Sequence, residues 1–201
     1  MTYRERLEAA TGRRLFVAIP IPSHVRESIT AVVESVRAAG DPAVRDVRWV
    51  RLDGLHLTLR FLGPTDEDRI AAVADAVDRT ARTTEPFDVV IAGGGAFPSV
   101  ARPRALWLGV AEGATELGAT ATTFDEALGE SGWPRDGRPY RPHLTLARSD
   151  GVRAGPAVAR RLIDAAESVR EPFLAESLVL FESISGGGPA RYVPLHEMPL
   201  G

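Results

Sequence analysis

The chain has 201 residues, 44% hydrophobic and 25% charged, enough for one substantial core and short for two independent ones. It contains no Cys, Lys, Asn or Gln. That excludes disulfides, thiol nucleophiles, thiolate-held zinc, Schiff-base and P-loop lysines, and lysine-dependent nucleotidyl transfer. A net charge of −3 argues against a broad basic face on duplex nucleic acid but leaves room for a local pocket holding one or two phosphates.

The opening MTYRERLEAATGRR is charged and lacks the apolar centre of a signal peptide. No apolar run reaches the ~20 residues of a membrane span, so a cytoplasmic protein is expected. Residues 1–13 read as an extension, and 14–201 as a single bilobal domain with no Pro/Ser-rich linker. RLFVAIPI (14–21) reads as a buried strand. Ser23 can cap a helix whose Val25, Ile29, Val32, Val33 and Val36 recur at helical spacing, with Gly40 as its C-terminal cap. VRWV (47–50) is a short strand and Asp53-Gly54 a turn. LHLTLRFL (55–62) alternates as a strand. Thr65 and Asp68 resemble a capping box for a helix through DRIAAVADAVDRTAR.

FDVVIAGGGAFP reads as a strand running into a Gly-rich bend, and RALWLGV (104–110) as the next strand. A helix over about 115–128 follows, then a turn-rich loop, GWPRDGRPY, feeding RPHLTLAR. One more helix spans about 156–169. The end reads as two strands, FLAESLVLFES and ARYVPLHEM, joined around Gly186-Gly187-Gly188 as a hairpin. Helices interleaved with hairpin-like strand pairs point to an α+β fold of largely antiparallel sheets.

His-Leu-Thr-Leu occurs twice, at His56–Leu59 and His143–Leu146, using two of the four histidines. A chance full match between histidine-anchored tetrapeptides is roughly one in several hundred at average compositions. On a strand, residues two apart share a face, so His56 points with Thr58 and His143 with Thr145, while the leucines anchor the opposite face. Two such strands side by side would floor a cleft. Two imidazoles can divide general-acid and general-base work near neutral pH, and two threonine hydroxyls can hold non-bridging phosphate oxygens. In-line phosphodiester cleavage fits that set without metal, cofactor, Lys or Cys. A single HLTL would read as an ordinary strand with a structural histidine; the pair favours function.

Other candidates carry less. His24, at a helix start, reads as surface or cap, and His196 as structural. No HExxH or carboxylate cluster accompanies a histidine to suggest a metal, and no GxSxG supports a serine triad. GGGAFP could cradle a phosphate, but a bend between strands explains it better.

In this ordered set the chain resembles the 2H phosphoesterase superfamily, and within it the bacterial and archaeal RNA 2′,3′-cyclic phosphodiesterases historically called 2′-5′ RNA ligases. RLFVAIPIP resembles the first strand, LHLTLRFLG and RPYRPHLTLAR the two motifs, GGGAFP with RALWLGV the middle segment, and ARYVPLHEMPL the terminal strand. The resemblance implies two antiparallel sheets with flanking helices, pseudo-twofold symmetric around a central cleft. It implies hydrolysis of 2′,3′-cyclic phosphates on RNA 3′ ends or nucleotides to 2′-phosphomonoesters. His56 would be the proton donor and His143 the proton acceptor, with Thr58 and Thr145 on the phosphate. Arg148 matches a family arginine at the substrate; strict alternation turns it away from His143, so a bulge must redirect it. Arg60 shares the His56 face by alternation and is a second candidate phosphate contact. Phe61 or Tyr140 could stack on a base. A monomer working without metal, cofactor or membrane is implied. The alternatives are a non-catalytic nucleotide- or RNA-end-binding module on the same fold, or 2′-5′ ligation as the reverse activity.

Overall fold

The structure, a computed structural model, describes residues 12–39, 42–150 and 155–201. The expected extension up to residue 13 and the expected cap at Gly40 fall largely outside these residues. Two antiparallel sheets make the frame. The first has four strands in the order β3-β1-β8-β9: His56–Thr65, Arg13–Pro20, Ser177–Ile184 and Arg191–Pro199. The second has five in the order β2-β6-β5-β4-β7: Arg48–Trp49, His143–Arg148, Ala105–Glu112, Phe87–Phe97 and Arg170–Ala175.

Among the described residues four α-helices cover the outer faces: α1 (Ser23–Ala38), α2 (Ile70–Arg82), α3 (Ala114–Glu130) and α4 (Gly155–Ala165). Helices α2 and α3 pair over the first sheet, and α1 and α4 over the second. The reason is visible in β1. Leu15, Val17 and Ile19 point to the helices, and Phe16 and Ala18 to the other side, so the strand is apolar on both faces and fully covered. The leucines of both HLTL motifs, Leu57, Leu59, Leu144 and Leu146, join the same core. Among the described residues no helix is long and apolar enough to cross a membrane.

Several local expectations shift. The carbonyl of Pro22 accepts the first helical bond, from Arg26 N at 3.0 Å, so Pro22 takes the cap position and Ser23 is already helical. Thr65 ends β3, and its hydroxyl turns back to the Gly63 carbonyl at 3.2 Å; a 3-10 turn at Glu67–Arg69 separates it from α2, so no capping box forms. The last helix stops at Ala165 rather than running to 169. FLAESLVLFES is two strands, β7 and β8, that part at Glu176 and enter different sheets. The hairpin around Gly186–Gly188 forms as read, between β8 and β9.

The glycine run is strand, not bend: β4 continues through it to Phe97 with a bulge at Gly93. Gly95 has a packing reason. A Cβ there would lie 2.3 Å from the Trp107 ring, so only glycine lets the indole of β5 lie across β4.

Candidate active site

The two HLTL strands have the same local structure. In β3, Ala18 faces Thr58 and Val17 faces Arg60, so Leu59 is an extra residue. In β6, Trp107 faces Thr145 and Leu106 faces Ala147, so Leu146 is the extra one. Each bulge sits after the motif threonine and reverses the alternation beyond it. Both hexapeptides, His56–Phe61 and His143–Arg148, therefore show one burial pattern, with His, Thr and the sixth residue on the open face.

The bulges decide three side chains. Arg148 is returned to the His143 face, as its expected role requires; its positive charge reaches both His56 and His143 as well as Tyr192. Phe61 is likewise turned to the His56 face, beside Phe16 at 5.8 Å between ring centroids, and is 57% exposed. Arg60 does the opposite, which corrects the expectation that it shares the His56 face. It pairs with Val17 on the core side, is 8% exposed, and forms an ion pair with Asp125 of α3. Its guanidinium also donates to the Pro134 carbonyl.

Both imidazoles are held alike. His56 Nδ1 lies 2.7 Å from the Gly54 carbonyl and His143 Nδ1 lies 2.7 Å from the Arg141 carbonyl. A carbonyl only accepts, so Nδ1 carries the proton in each neutral ring and Nε2 is left with its lone pair. Their surroundings differ. His56 is boxed by Phe16 (4.6 Å), Phe181 (5.9 Å) and Tyr192 (4.9 Å, edge-on). Burial there pushes its pKa down to about 4, with the charges of Arg148 and His143 adding to the shift. His143 meets Phe97 edge-on at 5.0 Å, and burial together with Arg148 lowers its pKa too. Without a bound anion both rings are neutral at pH 7.

Thr58 and Thr145 are half-buried beside their histidines, as the two-residue spacing requires. A cavity of about 610 Å³ opens between the lobes, lined by Thr58, Phe61, Phe97, Tyr140, Arg141 and His143 among others. Tyr140 reaches across the cleft: its hydroxyl donates to the Thr58 carbonyl at 3.2 Å, and burial raises its pKa. Among the described residues no group of three His, Asp or Glu side chains could hold a metal ion. His24 is exposed, and His196 Nε2 lies 2.5 Å from Asp78 Oδ1, tying β9 to α2 away from the cleft.

Two residues were not legible beforehand. Tyr192 sits against His56, and Gly54 makes room for it, since a Cβ at 54 would lie 3.0 Å from the Tyr192 ring. Nothing in ARYVPLHEM marks Tyr192 as a cleft residue; β9 and β3 are the two edges of the first sheet, and only the tertiary structure brings the Tyr192 ring onto His56.

The family model of the 2′-5′ RNA ligase superfamily matches residues 21–187. A protein of Archaeoglobus fulgidus named RNA 2′,3′-cyclic phosphodiesterase is 34% identical over 146 residues, 73% of this chain and 77% of that one. A protein of the same name from Aeropyrum pernix is 30% identical over 165 residues, 82% of this chain and 90% of that one. Among solved structures, E. coli LigT complexed with 3′-AMP is similar at a TM-score of 0.69 and 26% identity, covering 94% of this chain and 99% of that one.

Proposed function

The chain belongs to the 2′-5′ RNA ligase superfamily, and on that premise we propose that it hydrolyses the 2′,3′-cyclic phosphate of an RNA 3′ end, or of a nucleotide, to a 2′-phosphomonoester. The observation that carries this reading is the duplicated His/Thr face. Two imidazoles with free Nε2 atoms and two threonine hydroxyls come from different sheets to one cleft, with the charge of Arg148 reaching both rings.

The phosphate sits between the lobes, its non-bridging oxygens on Thr58, Thr145 and Arg148. His143 Nε2 takes a proton from water, and the water oxygen bonds to phosphorus. The P–O3′ bond opposite breaks, and His56 gives its proton to the leaving 3′ oxygen. The product keeps the phosphate on the 2′ oxygen. The proton that His56 needs is brought by the substrate's own charge. A phosphodiester anion beside the imidazoles favours the cationic form and offsets the burial that empties His56 in the free cleft. Phe61, exposed on the open face six residues into the first motif, offers a ring for the base to stack on. No step needs a metal, and the protein works as a cytoplasmic monomer in this reading.

The test is turnover of 2′,3′-cyclic AMP with the product resolved as 2′- or 3′-phosphate. Wild type gives 2′-AMP and keeps full rate in EDTA. H56A and H143A each lose about 10²- to 10⁴-fold while remaining folded. Wild-type turnover in the double variant would sink the two-histidine mechanism.

A further inference from the structure

Resting on the phosphodiesterase reading, we propose that Arg60, Asp125 and Tyr140 are positioning residues. They clamp the segment between α3 and β6 to the first-motif strand, and so hold the carbonyl that orients His143.

Residues 131–142 form neither helix nor strand, yet they lead directly into His143 and contain Arg141, whose carbonyl takes the His143 Nδ1–H at 2.7 Å. An irregular segment holds a catalytic ring only if it is itself fastened. Three ties run to β3 and α3. Arg60 donates to the Pro134 carbonyl and pairs with Asp125. The same carboxylate oxygen, Asp125 Oδ1, also accepts from Asp136 N at 3.3 Å. Tyr140 donates to the Thr58 carbonyl at 3.2 Å. A fourth tie comes from Arg69, which lies over the Trp133 ring at 3.5 Å from its centroid.

The equivalent position in the second motif shows why a folding role alone is a poor account of Arg60. There the residue after the bulge is Ala147, equally buried and apolar. The strand geometry thus tolerates an alanine, and a buried guanidinium costs desolvation that an apolar side chain would not. What Arg60 adds is the link from the strand carrying His56 to the segment that aims His143. Arg60 reaches from β3 to the segment at Pro134, and Tyr140 reaches back from the segment to β3 at the Thr58 carbonyl.

The test compares R60M/D125L, which removes both charges together, with Y140F, which deletes one hydroxyl. Steady-state kinetics on 2′,3′-cyclic AMP and ¹⁵N spectra of histidine-labelled protein are read for each. Loosening the segment lowers kcat by roughly 10- to 100-fold in the double variant with little change in KM, and by less in Y140F. The His143 Nδ1–H signal broadens or shows mixed tautomers, while the His56 signal stays as in wild type. Wild-type kcat and an unchanged His143 signal in both folded variants would overturn the clamp. Should R60M/D125L fail to fold, Y140F decides by the same two criteria. If H143A itself retains wild-type turnover, the phosphodiesterase reading fails. If H143A is inactive and the clamp variants are not impaired, only the clamp fails.

Discussion

The first-motif strand and the second-motif strand are near copies in backbone and opposites in setting. Each places His and Thr on the open face, each bulges at the following Leu, and each His gives Nδ1–H to the carbonyl two residues before it. Yet β3 is the edge of its sheet and lies on a floor of Phe16, Phe181 and Tyr192, whereas β6 lies between β2 and β5. After the bulge one strand presents Phe61 to the cleft and the other Arg148. The pair teaches that two copies of one tetrapeptide take the same bulged backbone and the same tautomer, while the neighbours govern proton affinity and the kind of contact each lobe can make. Backbone symmetry supplies two similar proton sites; the surroundings make them unequal.

That inequality can be broken experimentally. The largest expected effect is a leaving-group rescue. A cyclic substrate with sulfur at the bridging 3′ position expels a thiolate that needs no proton. H56A should then recover most of its roughly 10²-fold or greater deficit, and H143A should not. Rescue of H143A instead would exchange the two roles between the lobes; rescue of neither would remove the acid–base division altogether.

Next comes acid stability. The folded-state pKa of His56, about 4, lies below the unfolded value of 6.5. Between those two values the unfolded chain binds a proton that the folded chain does not, so stability is full above 6.5 and falls as pH drops towards 4. At about 1.4 kcal/mol per unit the loss approaches ~3 kcal/mol from this one group. Denaturant midpoints at pH 7 and 4.5 should therefore converge in H56Q relative to wild type. An equal pH dependence in H56Q would mean that the aromatic floor does not set the His56 titration.

The smallest effect sharpens the same comparison. Arg148 lowers the pKa of both histidines through its charge. R148M should raise both titration midpoints, read by NMR of the imidazole protons. A change confined to His143, the ring on its own strand, would mean that Arg148 does not span the cleft.

Much of this architecture is legible in the chain. The strands, the helices and the α+β class follow from periodicity, and the two half-sites follow from one repeated tetrapeptide anchored on a rare residue type. Sequence pattern and structure part where register or long-range pairing decides. Alternation put Arg60 with His56 because nothing local announces a bulge at Leu59. FLAESLVLFES looked continuous because the parting at Glu176 depends on which sheet each half joins. The Gly run looked like a bend because the indole that needs Gly95 comes from β5.

The sequence by itself determined that His56 and Thr58, and His143 and Thr145, share faces, because a strand repeats every two residues. It determined the excluded chemistries, because absent side chains cannot act. Only the tertiary structure decided that the two faces meet, that Phe61 and Arg148 share the open face with the histidines while Arg60 turns to Asp125, that Tyr192 and Tyr140 close on the motifs, and that burial lowers the pKa of His56 to about 4 and lowers that of His143 too. Those outcomes depend on bulges, sheet order and the local dielectric. Each is a property of which segments lie side by side, and no window of neighbouring residues encodes it.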